Sequence, residues 1–240
     1  MRLWTSLAFL CISSWLPAIS MACNTEIGAH QGIKICYKNK SKLIEITNHN
    51  KIWHIKLNGY SISEPFIFPL KGGGSVIGFV DLQGFSVGGA ARLFYANGNV
   101  LKQDCSNSGL YANYLKIFSR SNTVYVALMN HVTKNYYDAG SIVRISKNGW
   151  AETSDQEAWD VLIKEYDRQY RKGIVDRGTY YSSLVVAYAM MKKSGLENKY
   201  LSLLVSKTER SANDTLAVFR KAVDKAATNL KSGGWCAVAG

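Results

Sequence analysis

Histidine, cysteine and carboxylate side chains do much of protein chemistry, and this 240-residue chain holds 4 His, 5 Cys and 17 Asp plus Glu. His49 and His54 bracket Trp53 in the run HNKIWHI, while His30 and His131 lie far from them in sequence. A hairpin there would leave His49 in the turn and His54 on the returning strand, so the two rings need not meet. No Cys-x-x-Cys pair, His-Glu-x-x-His motif or calcium loop accompanies them. The sequence therefore predicts no metal site and no cofactor.

Nucleophile motifs are missing too. Gly72-Gly73-Gly74-Ser75 does not continue into Gly-x-Ser-x-Gly, because Ile77 stands two residues after Ser75. It also lacks the terminal Gly-Lys-Ser/Thr of a phosphate loop, and reads as a loop leading into a strand. Asp155, Glu157, Asp160, Glu165 and Asp167 crowd one predicted helix, where Lys164, Arg168 and Arg171 lie within one turn. These read as solvated ion pairs. No catalytic residue is assigned, and a binding protein is expected rather than an enzyme.

Binding residues are easier to nominate. Lys51, Trp53, His54 and Lys56 would share one hairpin, combining charge with an aromatic anchor. Tyr136 and Tyr137 lie in the long segment HVTKNYYDAG between two predicted strands, a setting in which tyrosines serve as recognition anchors. The formal charge of +12 strengthens this expectation, since a field of that sign draws anionic partners. Residues 23–152 hold 14 basic and 7 acidic side chains, so most of the excess lies in the first part of the chain.

The N-terminus decides which anions are relevant. Arg2 is followed by an apolar run from Leu3 to Leu16, then Pro17 and the small residues Ala18, Ser20 and Ala22. That order matches a secretory signal peptide over 1–22, with cleavage after Ser20 or Ala22, and the run is shorter than a membrane span requires. Cys23, Cys36, Cys105 and Cys236 would remain in an oxidising compartment, and the expected bridges are Cys23–Cys36 and Cys105–Cys236. Lipidation of Cys23 is the one route to a membrane, and Ser20 is a poor fit to the branched residue such a site prefers. Export also disfavours nucleic acid and leaves an acidic protein as the expected partner. Nothing in the pattern sets an oligomeric state.

The elements that must position these residues change character near residue 152. Short apolar or alternating runs predict strands at 31–37, 42–48, 51–57, 75–82, 91–96, 99–103, 113–119, 123–129 and 141–147. Hairpins over 43–55, 91–103 and 142–153 recur at about 50 residues, with Asn97-Gly98 and Asn148-Gly149 as turn pairs. This spacing resembles β-propeller blades, although only three units fit; an antiparallel sandwich is the other arrangement.

From 154 onward the spacing is helical. Ser154–Glu157 forms a capping box before Trp159, Leu162, Ile163, Tyr166 and Tyr170, and Gly173 ends that helix. Further helices are expected over 177–194, 197–207 and from Ser211. The expected fold is thus α+β: a signal peptide, a β-rich domain over 23–152 and a C-terminal helical bundle over 153–240, packed on it.

Together these features predict an exported, non-enzymatic protein-binding module of the bacterial envelope, concretely an immunity-type protein that neutralises a periplasmic toxin. A secreted hydrolase acting on envelope lipid or glycan, and an envelope assembly factor, are the alternatives.

Overall fold

A computed structural model describes residues 26–30, 32–84, 88–105, 109–129, 141–191, 198–208 and 231–238. The predicted signal segment, Cys23, Tyr136, Tyr137 and the helix expected from Ser211 lie outside the described residues.

The strands are β1 (Glu26–His30), β2 (Ile33–Lys38), β3 (Leu43–Asn48), β4 (Lys51–Lys56), β5 (Ser61–Ile62), β6 (Phe66–Pro69), β7 (Ser75–Leu82) and β8 (Gly89–Asn97). They continue with β9 (Val100–Asp104), β10 (Tyr111–Ala112), β11 (Tyr114–Arg120), β12 (Thr123–Met129), β13 (Ser141–Ser146), β14 (Gly149–Glu152) and β15 (Ser232–Ala237). The helices are α1 (Gln156–Arg171), α2 (Arg177–Met191) and α3 (Asn198–Thr208).

Two antiparallel sheets result. One is a four-stranded meander in the order β1-β2-β3-β4. The other has 11 strands, running β11-β12-β13-β14-β15-β9-β8-β7-β5, with β6 on β7 and β10 on β8. The larger sheet curls into a half-barrel: Val76, Val80 and Leu93 of β7 and β8 meet Val124, Val126, Leu128, Val143 and Trp150 across its hollow. The opposite face of β7 and β8 presents Ile77, Phe79 and Phe94 to Ile35, Ile44, Ile46 and Trp53 of the small sheet. The outer face of β12 and β13 offers Tyr125, Ala127, Met129 and Ile142 to Trp159, Leu162, Tyr180 and Leu184 of the helices.

This layering accounts for strand composition. β3 alternates half-buried and buried residues because only one of its faces meets another sheet. β12 is buried from Val124 to Met129, since its even positions fill the half-barrel and its odd positions meet helices. A strand covered on both faces reads as a continuous apolar run, and VYVALM is one.

The expected α+β fold with a helical bundle is corrected: the protein is mostly β, and the three described helices do not form a bundle of their own. Their apolar stripes share a core with β12 and β13. Helical periodicity shows that a stripe is buried, not whether a helix or a sheet buries it. β15 then enters the large sheet between β14 and β9, so the chain after the helices is strand again. The propeller resemblance fails for a related reason. The hairpin at 43–55 belongs to the small sheet, while those at 91–103 and 142–153 are joined within one sheet through β15.

Turn chemistry is corrected as well. The positive-φ pair that a type I′ hairpin needs is at Ser121 (48°) and Asn122 (65°). The Asn97 hairpin has positive φ at Gly98 alone, and the β13–β14 turn is Lys147-Asn148, with Gly149 already in β14. Helix α1 is capped by the Asp155 carboxylate, which accepts from the Glu157 N–H, one residue later than the Ser154 cap expected. Its end is a Schellman motif: the Gly173 N–H donates to Tyr170 and the Ile174 N–H to Gln169, with φ of 69° at Gly173.

Candidate functional site

The four-stranded sheet has an outward face whose content follows from register. Cys36, Glu45 and His54 align in one cross-strand row, Lys34, Thr47 and Ile52 in the next, and Lys38, Leu43 and Lys56 in the third. Lys38 Nζ donates to Glu45 Oε2 at 2.5 Å and His54 Nε2 lies 3.3 Å from the same oxygen. The Lys38 hydrogen bond, against an opposing effect of burial, holds the Glu45 carboxyl below its usual range, with His54 adding to it. Lys34 and Lys56 are exposed with no salt-bridge partner among the described residues, and Ile52 is 50% exposed beside them.

Of the residues nominated from sequence, His54 and Lys56 therefore share this face. Lys51 begins β4, with its Nζ 5.7 Å from the Trp53 ring centroid. Trp53 itself points the other way and is 1% exposed in the core between the sheets, so it serves packing rather than a surface. Period-2 alternation forces this outcome: an apolar residue flanked by Ile52 and His54 takes the face opposite theirs.

A second assembly was not apparent from sequence. At one end of the half-barrel, the loop before β7 (71–74), the β11–β12 turn and the β13–β14 turn surround a cavity of about 570 Å³. Its walls include Leu70, Val124, Ile145 and Trp150, with Lys71 and Lys147 at its rim. Arg144 also borders it, but its side chain leaves β13 on the opposite face, that of its cross-strand partner Tyr125. Both lysines are exposed, and among the described residues neither has a salt-bridge partner. Gly72 and Gly73 both have φ of 100°, and nothing lies within 4 Å of a Cβ built on either, so this stretch of main chain is bare.

The two walls are tied together. Tyr95 and Trp235 stack with centroids 6.3 Å apart; the Tyr95 hydroxyl donates to the Gly73 carbonyl, and Trp235 Nε1 donates to the Ser146 carbonyl at 2.9 Å. Ser146 Oγ accepts from the Asn148 N–H and donates to the Gly149 carbonyl, which fixes the turn. Trp150 lines the cavity at 3% exposure, and its buried Nε1 has no hydrogen-bond partner. Basic residues beside turn glycines and asparagines were the only signal in the sequence; the convergence of three turns depends on sheet register.

The carboxylates of α1 differ from the solvated pairs expected. Arg168 and Arg171 do bridge Glu165 and Asp167. However, Glu165 also binds Lys116 of β11 at 2.9 Å and Gln169 at 2.8 Å, and Gln169 donates to the Tyr114 hydroxyl. Arg168, acting against burial and helped by Lys116 and Gln169, holds Glu165 down to about 2. Asp155 accepts from the Tyr125 hydroxyl, whose pKa is pushed up to about 12 by burial first and that hydrogen bond second. Asp160 holds Lys199 and Tyr200 of α3. Glu165, Gln169 and Asp155 thus dock α1 on the sheet, and Asp160 joins α1 to α3, while Asp167 and Arg171 keep the expected pairing within the helix.

Among the described residues no three His, Cys, Asp or Glu side chains converge on a metal position, and no helix is long and apolar enough to cross a membrane. No protein-family model matches the chain, and neither a curated protein nor a solved structure is similar to it.

Proposed function

We propose that the chain is an exported, non-enzymatic protein-binding module of the bacterial envelope, which engages an acidic protein through the outer face of its four-stranded sheet. The carrying observation is the row structure of that face, where Lys34, Lys38, His54 and Lys56 surround a single Glu45 and an exposed Ile52. Complementary charge steers such encounters and sets specificity, and an apolar residue amid the charges supplies contact area. The Cys105–Cys236 disulfide supports export, because such bonds persist in oxidising compartments. Neutralisation of a periplasmic toxin is the concrete form of this reading.

The test returns the tagged full chain to its own envelope, crosslinks it and identifies its protein partner, in parallel with Lys34→Glu/Lys56→Glu. One acidic, stoichiometric partner is expected, with roughly tenfold or greater weakening in the variant and an unchanged melting temperature. Undiminished capture by the variant, or no protein partner at all, overturns the proposal.

A further inference from the structure

We propose that β4 is an open sheet edge that takes an added strand from the acidic protein partner, an extended segment in which carboxylate side chains alternate with apolar ones. This rests on the sheet-face reading of the partner and specifies how the partner attaches.

Backbone pairing fixes which groups are free. Among the described residues β4 pairs with β3 alone. The Leu57 N–H donates to the Lys42 carbonyl, which makes that pair a hydrogen-bonded one. By antiparallel alternation Ile55 with Ile44, Trp53 with Ile46 and Lys51 with Asn48 are hydrogen-bonded too. The N–H and C=O groups of Ile52, His54 and Lys56 therefore point away from β3, and all three residues are exposed. Edges elsewhere in the described sheets are short, irregular or approached by a neighbour, the usual guards against strand addition. β5 and β10 are two residues long, β6 ends at Pro69, β1 breaks register between Glu26 and Gly28, and β11 runs close to β7. β4 instead runs six residues in unbroken register without a proline.

Side chains then define the segment. Strand addition places alternate residues of the newcomer on opposite faces of the sheet. Those on the outer face lie beside Ile52, His54 and Lys56, with Lys34 in the row of Ile52. Glu45, the one carboxylate on β2 to β4, is already held by Lys38. Carboxylates suit that face, because opposite charges on neighbouring strands attract and like charges repel. Residues on the inner face continue the layer of Trp53 and Ile55, which are 1% and 8% exposed between the sheets, so apolar side chains extend the core there. A second copy of β4 does not fit, since its own Lys51, His54 and Lys56 would add basic groups to an edge that already carries them. Edge lysines thus exclude self-pairing while admitting an acidic strand.

The test presents the full chain with a synthetic peptide of alternating glutamate and valine, and with a lysine and valine peptide as the control. The glutamate peptide should bind roughly tenfold or more tightly than the control. On binding, hydrogen exchange should slow at the Ile52, His54 and Lys56 amides, while Trp53 and Ile55, already bonded to β3, keep the rates they had. His54→Pro removes an outward N–H without touching the β3 ladder, and His54→Ala removes only the ring. The proline variant should bind the glutamate peptide roughly tenfold more weakly than the alanine variant. Should proline unfold β4, the exchange pattern of the parent decides alone. Binding that depends on Lys34 and Lys56 but slows none of the three amides, or equal affinity of two folded His54 variants, overturns strand addition and leaves the sheet face intact. Absence of binding by the glutamate peptide also overturns the edge site, whereas the sheet-face reading stands or falls on crosslinked capture.

Discussion

Two tryptophans of similar burial differ in one hydrogen bond, and the difference can be measured. Trp159 Nε1 donates to the Thr153 carbonyl at 2.8 Å, whereas Trp150 Nε1 is buried without a partner. Trp→Phe removes the same volume at both positions, so the cavity cost is comparable and the hydrogen bond decides the ranking. Urea unfolding should show Trp159→Phe to be more destabilising than Trp150→Phe by about 1–3 kcal/mol, because the latter relieves an unsatisfied donor. Equal losses would mean that Trp150 has a partner in solution. Glu165 supplies a second residue-level prediction. Its folded pKa of about 2 lies below the ordinary 4.5, so its stabilisation is complete above about pH 4.5 and is lost as pH falls towards 2. Glu165→Gln should flatten the decline of the unfolding midpoint across that interval and leave it unaltered in slope near neutrality. Such roles were half legible in sequence. The i,i+3 spacing of Glu165 and Arg168 gave the pairing, but Lys116 and Tyr114 lie about 50 residues away and nothing local announces them.

Among elements, those specified by local pattern agree most closely with the sequence. The nine predicted strands correspond to β2, β3, β4, β7, β8, β9, β11, β12 and β13, and the first helix ends at its glycine as expected. Elements that depend on a distant neighbour were invisible. β15 has the sequence SGGWCA, which carries no strand pattern, yet it pairs with both β14 and β9. The close passage is felt on the neighbouring strand, where a Cβ on Gly149 of β14 would lie 2.1 Å from the Gly233 carbonyl oxygen. Gly149→Ala should therefore break the β14–β15 seam. Hydrogen exchange should accelerate at Gly233 and Gly234 in that variant while the β11–β12 amides keep their protection. Uniform acceleration across both would show that the seam is not separable from the rest of the sheet.

At the scale of the molecule, β15 is what makes one sheet of two sets of hairpins. The strands β5 to β9 and β11 to β14 meet through it alone along the hydrogen-bonded path, and the Cys105–Cys236 disulfide fastens it at the β9 side, where the Cys105 N–H also donates to the Gly234 carbonyl. The bond spans 131 residues of sequence, including the three described helices. Constraining an unfolded loop of that length contributes about 4–5 kcal/mol in the chain-entropy view. Cys36 is also disulfide-bonded, so a reducing agent would confound the two bridges; Cys105→Ser/Cys236→Ser isolates this one. That double variant should lose most of the predicted stability, with β15 amides exchanging first and the small sheet, packed on β7 and β8, exchanging last. The cavity walls depend on the same strand, since Trp235 holds the Ser146 turn. The amides of the Ser146 turn should thus lose protection in the double variant before global unfolding begins. Retained protection at that turn alongside rapid β15 exchange would separate the cavity from the closure of the sheet.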